Sequence, residues 1–413
     1  MPAMVLRSHR LALGCILLTA LMDSIGFGII LPVLPELVME LTGGGLSQAA
    51  RYGGWLMFVF ATMQFFFAPV LGNLSDRFGR RPVLLFSLCM LGVNYLIMGW
   101  APTLGWLFFG RMISGLASST MSTCNAFIAD ISPPEERTQN FGLVGAAFGM
   151  GFVIGPVIGG FLGELGPRAP FFAAAGFAFG NMLFGLLVLP ETLKEEHRRP
   201  FDVARANPLG TLKQLRAFPM VFGLLGVMFL YNMGHHVLPA TWSFFTMERF
   251  GWSEREVGYS LGAVGILMVL VQGFLIRVVI SRTGPRIAVF AGMTFTTVAF
   301  IGYAMATQGW MIYAALVPGA LGALAGPAIN GIASTQVGAG QQGELQGGLA
   351  SIMSLASILS PPLMTETFGF FAAAAAPLYF PGAPYILAAA LTVLSLALFV
   401  RATSGLVLQR DLA

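Results

Sequence analysis

Two charged side chains lie within otherwise apolar segments, and they are the residues best placed to do chemistry. Asp23 lies in the apolar run of residues 11–38, and Arg111 lies in the run 104–130. A charge near the middle of a membrane span costs a few kcal/mol or more, so it usually has a function. Because poor solvation disfavours the charged form of a carboxyl group, Asp23 is suited to binding and releasing a proton near neutral pH.

Each of these residues also has a simpler explanation. Asp23 could make a structural hydrogen bond to a neighbouring helix, and Arg111 could extend to the outer interface from the first two turns of its run. Asp23 comes about twelve residues into its run, which at about 1.5 Å per residue is about 18 Å of depth. This position near the middle of a bilayer favours proton or substrate handling.

A basic loop follows the second apolar run. It reads Gly72-Asn73-Leu74-Ser75-Asp76-Arg77-Phe78-Gly79-Arg80-Arg81-Pro82. The arginines suit anionic lipid and Pro82 suits the first turn of a helix, but a simple positive anchor explains neither the acid nor the glycines. We expect a conformational gate made of Gly72, Asp76, Arg77, Gly79, Arg80 and Arg81, with Asp130, at the end of the fourth run, as the partner of a loop arginine.

The fifth apolar run carries glycines at four-residue spacing. They are Gly151, Gly155, Gly159 and Gly163, with Pro156 among them. This face of small residues predicts close packing against another helix, and the proline removes one backbone hydrogen bond. We also assign Gly151, Gly155, Pro156 and Gly159 to the moving parts of the gate.

Composition places the whole chain in a membrane. Of its 413 residues, 56% are hydrophobic and 10% are charged, whereas a soluble domain carries roughly 25% charged residues. Twelve apolar runs approach or exceed the length of about 20 residues that a membrane-spanning helix needs. They cover residues 11–38, 53–75, 82–101, 104–130, 138–163, 169–189, 217–248, 254–280, 285–306, 309–336, 342–367 and 382–402. They do not alternate as barrel strands do, so we predict an all-α membrane protein with twelve transmembrane helices.

One long polar stretch divides the chain. We predict an N-terminal six-helix bundle at residues 1–189, a cytoplasmic linker at 190–216 and a C-terminal six-helix bundle at 217–413. The sequence Ser281–Arg286 repeats the pattern of the basic loop after the eighth run. This repeat favours two pseudo-symmetric halves with a site between them near the midplane.

The Lys and Arg residues predict the orientation. With the N-terminus in the cytoplasm, the far side holds only Arg51, Arg168, Arg249 and Arg255, and most other basic residues are cytoplasmic. Positive residues favour the cytoplasmic side of loops, so we predict both termini there. The first run is too long for a signal peptide and has no cleavage site before Asp23, so we expect it to remain as a span.

Further polar residues within the runs either line a substrate cavity or join helices by hydrogen bonds. The candidates for substrate binding are Gln64, Asn94, Asn125, Asn232, His236, Gln272, Asn330 and Gln346. His235 and Glu366 are two more such groups, to which the sequence gives no role. Adjacent helical residues point in different directions, so His235 and His236 cannot both serve one site.

Several classes of function lack the residues that they need. Lys194 and Lys213 each follow a leucine, so no phosphate-binding GxxxxGK[ST] loop exists. The chain also has no HExxH zinc motif, no GxSxG elbow near a partner histidine and no metal-ligand spacing of its three cysteines. We expect an ion-coupled transporter that is not an enzyme and has no cofactor or metal site of its own.

The chain resembles the major facilitator superfamily and, within it, the twelve-span drug/proton antiporters, above all the bacterial tetracycline/proton antiporters. The matching stretches are Asp23 with Gly26–Pro35, Phe67–Leu85, Gly110–Arg111 with Ser114–Gly115, Gly155–Pro156 with Gly159–Gly160, Phe250–Trp252 with Val257–Gly258, and Gln341–Gly343 with Leu345–Gly347. The resemblance implies that Asp23 handles substrate or protons and that Arg111 is linked to proton transfer. It also implies that Gln64 lines the cavity and that Asp76 and the loop arginines hold the two halves together.

Three positions depart from the tetracycline exporters. Met268 stands where they carry a histidine, and Thr296 and Asn94 stand where they carry aspartates. In that family these groups help with proton coupling or with the metal-chelated drug, so the departures leave the substrate and the proton stoichiometry open. Glu366 and the pair His235–His236 are not expected from that family and could compensate.

We therefore expect a monomeric exporter in the bacterial inner membrane, driven by the proton gradient through alternating access. Its substrate would be a lipophilic drug, tetracycline-like or another antibiotic, with Mg²⁺ present only as a chelate of a tetracycline. A proton-coupled uptake symporter for a metabolite or sugar is the alternative on the same fold, although the glycines of the fifth run argue against it. A membrane enzyme or receptor would need a nucleophile, metal or cofactor site that the sequence does not supply, and nothing indicates a nucleic-acid partner.

Overall fold

The computed structural model describes residues 2–118, 120–193, 195–201, 219–338 and 341–404. Within these ranges every regular element is a helix. Lys194 and residues 202–216, which make up much of the predicted linker and include Lys213, lie outside the described residues. So do the side chains of residues 2–10.

Eight α-helices are described before residue 201. They are α1 (Pro2–Gly28), α2 (Leu34–Thr42), α3 (Leu46–Phe78), α4 (Arg80–Gly99), α5 (Leu104–Ala117), α6 (Thr120–Ile131), α7 (Pro134–Gly163) and α8 (Ala169–Val188). A 3₁₀ turn, Glu195–His197, follows α8.

Nine α-helices are described after residue 219. They are α9 (Pro219–His235), α10 (Val237–Phe250), α11 (Glu254–Leu270), α12 (Ile276–Thr283), α13 (Pro285–Met305), α14 (Gly309–Gly322), α15 (Ala325–Ser334), α16 (Gln342–Phe371) and α17 (Ala383–Ala402). A π-helical turn, Val271–Leu275, joins α11 to α12.

Eleven segments of the described chain are long and apolar enough to cross a membrane, and each corresponds to a predicted span. The remaining predicted span, 104–130, is not among these eleven segments. The segment is divided into α5 and α6 on either side of Ser118, so neither piece alone is long enough to cross. Counted as one crossing, it completes the twelve predicted spans. Large apolar side chains such as Leu187, Phe274 and Trp310 are at least 70% exposed, as lipid-facing residues would be.

The interrupted helices follow a pattern along the chain. Spans one, four, seven and ten are each divided, which is the first span of every group of three. A proline follows the first helical piece of three of these spans by four or five residues. These prolines are Pro32 after α1, Pro239 after α9 and Pro327 after α14. A proline lacks the N–H for a helical hydrogen bond and its ring collides with the carbonyl four residues earlier, so these residues favour the interruptions.

Span four has no proline at its interruption. Ser118 follows the last residue of α5, and Thr120 is the first residue of α6. Hydroxyl side chains compete with the helix for backbone hydrogen bonds, and this run of small polar residues therefore favours a break. Transporter sites are commonly built at such discontinuities.

The described chain forms two compact units. Unit 1 contains the described residues up to 201 together with Trp242–Ile266, and unit 2 contains residues 219–241 and the described residues from Leu267. The predicted bundle boundaries, 1–189 and 217–413, remain a prediction. Trp242–Ile266 joins unit 1 because the glycines of α11 pack on α7. A Cβ atom built on Gly258 would lie 2.5 Å from the Pro156 carbonyl oxygen.

Each unit has its own apolar core. In unit 1 the core includes Ile16, Leu84, Leu88 and Phe127, all nearly inaccessible. In unit 2 it includes residues of α9, α13, α15, α16 and α17, among them Leu224, Val289, Ile329, Leu345 and Phe399. These cores fix the helices whose polar side chains form the candidate site.

Candidate functional site

Asp23 lies on α1, five residues before the helix ends at Gly28. Its side chain is half-buried. The hydroxyl of Thr120, the first residue of α6, donates a hydrogen bond to the Asp23 carboxyl group. The predicted acid therefore meets the interruption of span four.

Arg111 lies on α5 and is only 8% exposed. Its Nε is buried without a hydrogen-bond partner, and within the described residues the side chain forms no ion pair. Extension of this side chain to the interface, the simpler explanation, does not fit such burial. A buried guanidinium without an acceptor is costly, so Arg111 needs a partner from the substrate, water or another conformation.

Tyr95 on α4 lies near both of these groups. Its phenol is close enough to interact electrostatically with both the Asp23 carboxyl group and the Arg111 guanidinium. The hydroxyl rests against α1, because a Cβ atom built on Gly26 would lie 2.8 Å from Tyr95 Oη. Three spans thus bring Asp23, Tyr95 and Arg111 together. Sequence analysis missed Tyr95, since a tyrosine in an apolar run carries no distinctive signal.

Two predicted polar residues of unit 1 lie close to α5. Asn94 is 1% exposed, and both ends of its amide lack hydrogen-bond partners. A Cβ atom built on Gly110 would lie 2.9 Å from Asn94 Oδ1, so this amide packs against α5 at the residue before Arg111. Gln64 Nε2 donates to Ser118 Oγ at 2.6 Å, which joins α3 to the end of α5. Asn125, on α6, is exposed.

The predicted substrate residues of unit 2 do not all meet. Gln346 Nε2 donates to Asn330 Oδ1 at 3.2 Å, which joins α16 to α15. Asn232 donates to the carbonyl of Met228 in its own helix. His236 is half-buried between α9 and α10, and Gln272 is exposed in the π-helical turn. Of this group, only Asn330 and Gln346 form a cross-helix pair.

A second polar group in unit 2 joins the interruptions of spans seven and ten. Tyr231 Oη donates to the Gly322 carbonyl at 3.0 Å, and His235 Nε2 lies 3.4 Å from the same oxygen of Tyr231. The Nδ1 atom of His235 is buried without a partner, and its ring lies 5.8 Å from that of Phe300. Tyr231 thus satisfies a carbonyl at the end of α14.

The basic loop, residues 72–82, is held by a network of ion pairs and hydrogen bonds. Arg80 Nη1 donates to Asp76 at 2.6 Å, and Arg80 Nε donates to Asp130 at 3.2 Å. Arg81 donates to the carbonyl of Leu186, and Arg77 stacks on the ring of Phe78. Asp130 is therefore a partner of a loop arginine, and the network joins α3, α4, α6 and α8.

Glu191, which the sequence did not single out, caps α4. Its carboxylate accepts the backbone N–H groups of Arg80 at 2.9 Å and Arg81 at 3.2 Å. An anion at a helix N-terminus satisfies free N–H groups and the helix dipole. The loop passes so close to this carboxylate that a Cβ atom on Gly79 would collide with Glu191 Oε2.

Gly79→Ala should destabilise this loop, whereas Gly72→Ala should not. Gly79 has φ 107° and ψ 161°, a conformation that costs a residue with a Cβ atom about 1–3 kcal/mol. Among the described residues, no heavy atom lies within 4 Å of the Cβ position of Gly72, so an alanine side chain fits there. Melting temperatures of the two variants in detergent provide the measurement. Equal values would contradict the argument.

The glycine face of span five packs on span one. A Cβ atom on Gly151 would lie 2.5 Å from the Leu21 carbonyl oxygen, and one on Gly155 would lie 2.7 Å from the Ile25 carbonyl oxygen. At Gly159 the Cβ atom would collide with the carbonyl of Ile29. Span five thus contacts the backbone of α1 on both sides of Asp23.

No group of three or more His, Cys, Asp or Glu side chains is arranged to hold a metal ion among the residues that the structure describes. The polar groups around Asp23 and Arg111 provide one carboxylate, one guanidinium, amides and hydroxyls. This set can bind and release a proton and donate hydrogen bonds to a substrate. The expectation that the chain has no cofactor remains a prediction.

The known proteins that this chain resembles are transporters and drug-resistance proteins. The profile of the Major Facilitator Superfamily matches residues 16–361. The chain is 40% identical to the class C tetracycline resistance protein of Escherichia coli, over 86% of this chain and 89% of that one. It is 38% identical to the class G tetracycline resistance protein of Vibrio anguillarum, again over 86% and 89%. The crystal structure of the human organic anion transporter MFSD10 matches with a TM-score of 0.70 and 26% identity, over 95% of this chain and 99% of that one.

The chain therefore belongs to the Major Facilitator Superfamily. The predicted fold, an all-α membrane protein with twelve transmembrane helices, is confirmed, as is the resemblance to tetracycline resistance proteins. Membership makes the chain a multi-pass membrane transporter of small molecules. The roles of individual residues remain predictions.

Proposed function

We propose that this protein exports a lipophilic drug from the cytoplasm in exchange for protons, by alternating access across the bacterial inner membrane. Tetracycline resistance proteins that are 34–40% identical over most of the chain support drug export. The class of substrate is a tetracycline-like compound or another antibiotic. Both termini lie in the cytoplasm, and a monomer is sufficient.

One observation carries the proposal: the half-buried carboxyl group of Asp23 meets a hydroxyl at the interruption of span four. An acid in this position can exchange a proton with the medium and with a substrate cavity. Arg111 lies close to Tyr95, which also lies close to Asp23, and Arg111 has no counter-ion in the described chain. We assign proton coupling to Asp23 and assistance in proton transfer to Arg111.

Alternating access needs helices that move as rigid pieces while the site stays assembled. The glycines of α7, which is span five, pack directly against α1, and the network around Arg80 joins the ends of four helices. Gly72, Asp76, Arg77, Gly79, Arg80, Arg81 and Asp130 would thus move together. Protonation of Asp23 would favour drug release outside and the return of the transporter to its inward-open state.

Polar groups within each unit are the candidates for contact with the substrate. In unit 1 these are Gln64 and Asn94, and in unit 2 they are the pair Asn330–Gln346 and His236. The other predicted members of this set are Asn125, Asn232 and Gln272. Asn125 and Gln272 are exposed, and Asn232 donates to a carbonyl of its own helix. If the drug is a tetracycline, Mg²⁺ would enter as its chelate and not as a ligand of the protein.

A drug-susceptibility panel tests the proposal directly. Expression in an efflux-deficient bacterial host should raise the inhibitory concentration of at least one lipophilic antibiotic above that of the vector control. Everted membrane vesicles should then accumulate that drug when a pH gradient is imposed and lose it when a protonophore is added. Tetracycline belongs in the panel, because Met268, Thr296 and Asn94 differ from the tetracycline exporters.

The direction of transport separates the rival function. A proton-coupled uptake symporter would move its substrate into right-side-out vesicles along with protons, and expression would then increase drug sensitivity or leave it unchanged. Uptake of a metabolite or sugar with no drug export would contradict the proposal.

A further inference from the structure

Tyr95 lies near the two groups on which the proposed proton coupling depends. It lies on α4, is 4% exposed, and its hydroxyl rests on α1 at Gly26, three residues after Asp23. Its phenol interacts electrostatically with Asp23 and with Arg111. The structure records no hydrogen bond for this hydroxyl among the described residues.

Arg111 and Asp23 do not form a direct ion pair in the described chain, although both interact with other groups nearby. Asp23 has Thr120 as its hydrogen-bond partner, and Arg111 has the phenol of Tyr95 as its electrostatic partner. A phenol can donate one hydrogen bond and accept another at the same oxygen. Tyr95 is therefore suited to joining a carboxylate to a guanidinium.

We propose that Tyr95 is a positioning residue for proton exchange, which joins Asp23 to Arg111 through its hydroxyl. When Asp23 is ionised, Tyr95 donates its hydrogen bond to the carboxylate and accepts one from Arg111. When Asp23 takes up a proton, the carboxyl group no longer needs this donor, and Arg111 is released. Tyr95 keeps its own proton throughout, and the transported proton resides on Asp23. This inference rests on the proposed function.

The other titratable groups near this site are few. The helices packed against α4 are α3, α5, α6 and α8, and α8 carries no titratable side chain. On α6, Cys124 interacts with Asp23, and on α1, Cys15 interacts with Cys124. The remaining charged or titratable residues of these helices are near the ends of α3 and α6: Arg51, Tyr52, Asp76, Arg77 and Asp130. Asp23 thus interacts with Thr120, Tyr95 and Cys124. Of these three, Tyr95 is the one that also interacts with Arg111.

Tyr95→Phe tests the inference, because it keeps the buried ring and removes only the hydroxyl. A hydrogen bond to the charged form favours ionisation, so its loss should make Asp23 hold its proton more strongly. We expect the cytoplasmic pH at half-maximal export to rise by about one unit, while the melting temperature stays unchanged. Tyr303→Phe, at a buried tyrosine of unit 2, is the matched control and should leave the pH profile in place.

Gly26→Ala provides an independent test, since it keeps the hydroxyl but displaces it. The added Cβ atom would lie 2.8 Å from Tyr95 Oη, which is closer than an ordinary contact, so the ring must shift. The pH profile should move in the same direction as in Tyr95→Phe. If Tyr95→Phe lowers the melting temperature, the profile of Gly26→Ala decides the question.

The result that overturns the inference is an unshifted pH profile in a folded Tyr95→Phe or Gly26→Ala protein. Asp23→Asn, measured in the same vesicles, separates this failure from failure of the proposed function. If Asp23→Asn loses proton-driven export and Tyr95→Phe is unshifted, only the role of Tyr95 is rejected. If Asp23→Asn exports normally, the proposed coupling through Asp23 is itself rejected.

Discussion

Asp23→Asn is expected to abolish proton-driven drug export while the protein remains folded. Asparagine has nearly the same shape as aspartate and can accept the hydrogen bond from Thr120. It cannot bind and release a proton, so the step that resets the transporter is lost. The initial rate of export should fall by at least about tenfold, which corresponds to about 1.4 kcal/mol.

The measurement uses everted vesicles with an imposed pH gradient and a labelled drug. Exchange of labelled for unlabelled drug without a gradient should persist in Asp23→Asn, because this exchange needs no net proton movement. Asp23→Glu is the matched control, since it retains a titratable carboxyl group and should retain gradient-dependent export at a reduced rate. Full gradient-driven export by Asp23→Asn would show that another group carries the proton.

The sequence predicted the transmembrane segments well because hydrophobic length is a local property. Each crossing needs about 20 apolar residues, and every predicted run contains helices. The basic loop could also be recognised from adjacent residues, because its arginines and its acid lie close together in the sequence. Its main contact, Arg80 with Asp130, joins residues fifty positions apart and was suggested only by the placement of both at helix ends.

The interruptions were harder to predict, since proline alone does not produce them. Pro69, Pro156 and Pro361 lie inside uninterrupted helices, whereas Pro32, Pro239 and Pro327 follow breaks. Neighbouring helices can satisfy the carbonyl that a proline leaves free, and these neighbours are known only from the fold.

The centre of the candidate site is also a product of tertiary structure. Asp23, Tyr95 and Arg111 lie on three different helices, and no spacing along the chain relates them. Their charge made two of them visible in the sequence, but a buried tyrosine is common in apolar helices. Likewise, the link from His235 to Gly322 through Tyr231 depends on a carbonyl whose position no sequence pattern gives.

The contacts that glycines make are also only partly predictable from the sequence. The spacing of the span-five glycines predicted close packing, and the structure adds that the packed surface is the backbone of α1. Gly72 also belongs to the predicted gate, yet no heavy atom of the described residues lies within 4 Å of its Cβ position. A glycine in a sequence therefore permits a close approach, and only the structure tells which glycines have one.

Gly159→Ala is expected to destabilise unit 1 and to abolish transport, because span five contacts α1 through backbone atoms. The added Cβ atom would collide with the carbonyl oxygen of Ile29, which cannot turn away as a flexible side chain could. Overpacking of this kind typically costs about 1–3 kcal/mol. The separation of α7 from α1 would also move Asp23 away from Thr120 and Tyr95, so transport should fall further than stability alone explains.

Gly149→Ala is the matched control on the same helix. Within the described chain no heavy atom lies within 4 Å of its Cβ position, and replacing a helical glycine with alanine can stabilise a helix by up to about 1 kcal/mol. Melting temperatures in detergent and initial export rates in vesicles should therefore be unchanged or higher for Gly149→Ala and lower for Gly159→Ala. If both variants melt and transport alike, close contact between α7 and α1 is not what holds Asp23 in position.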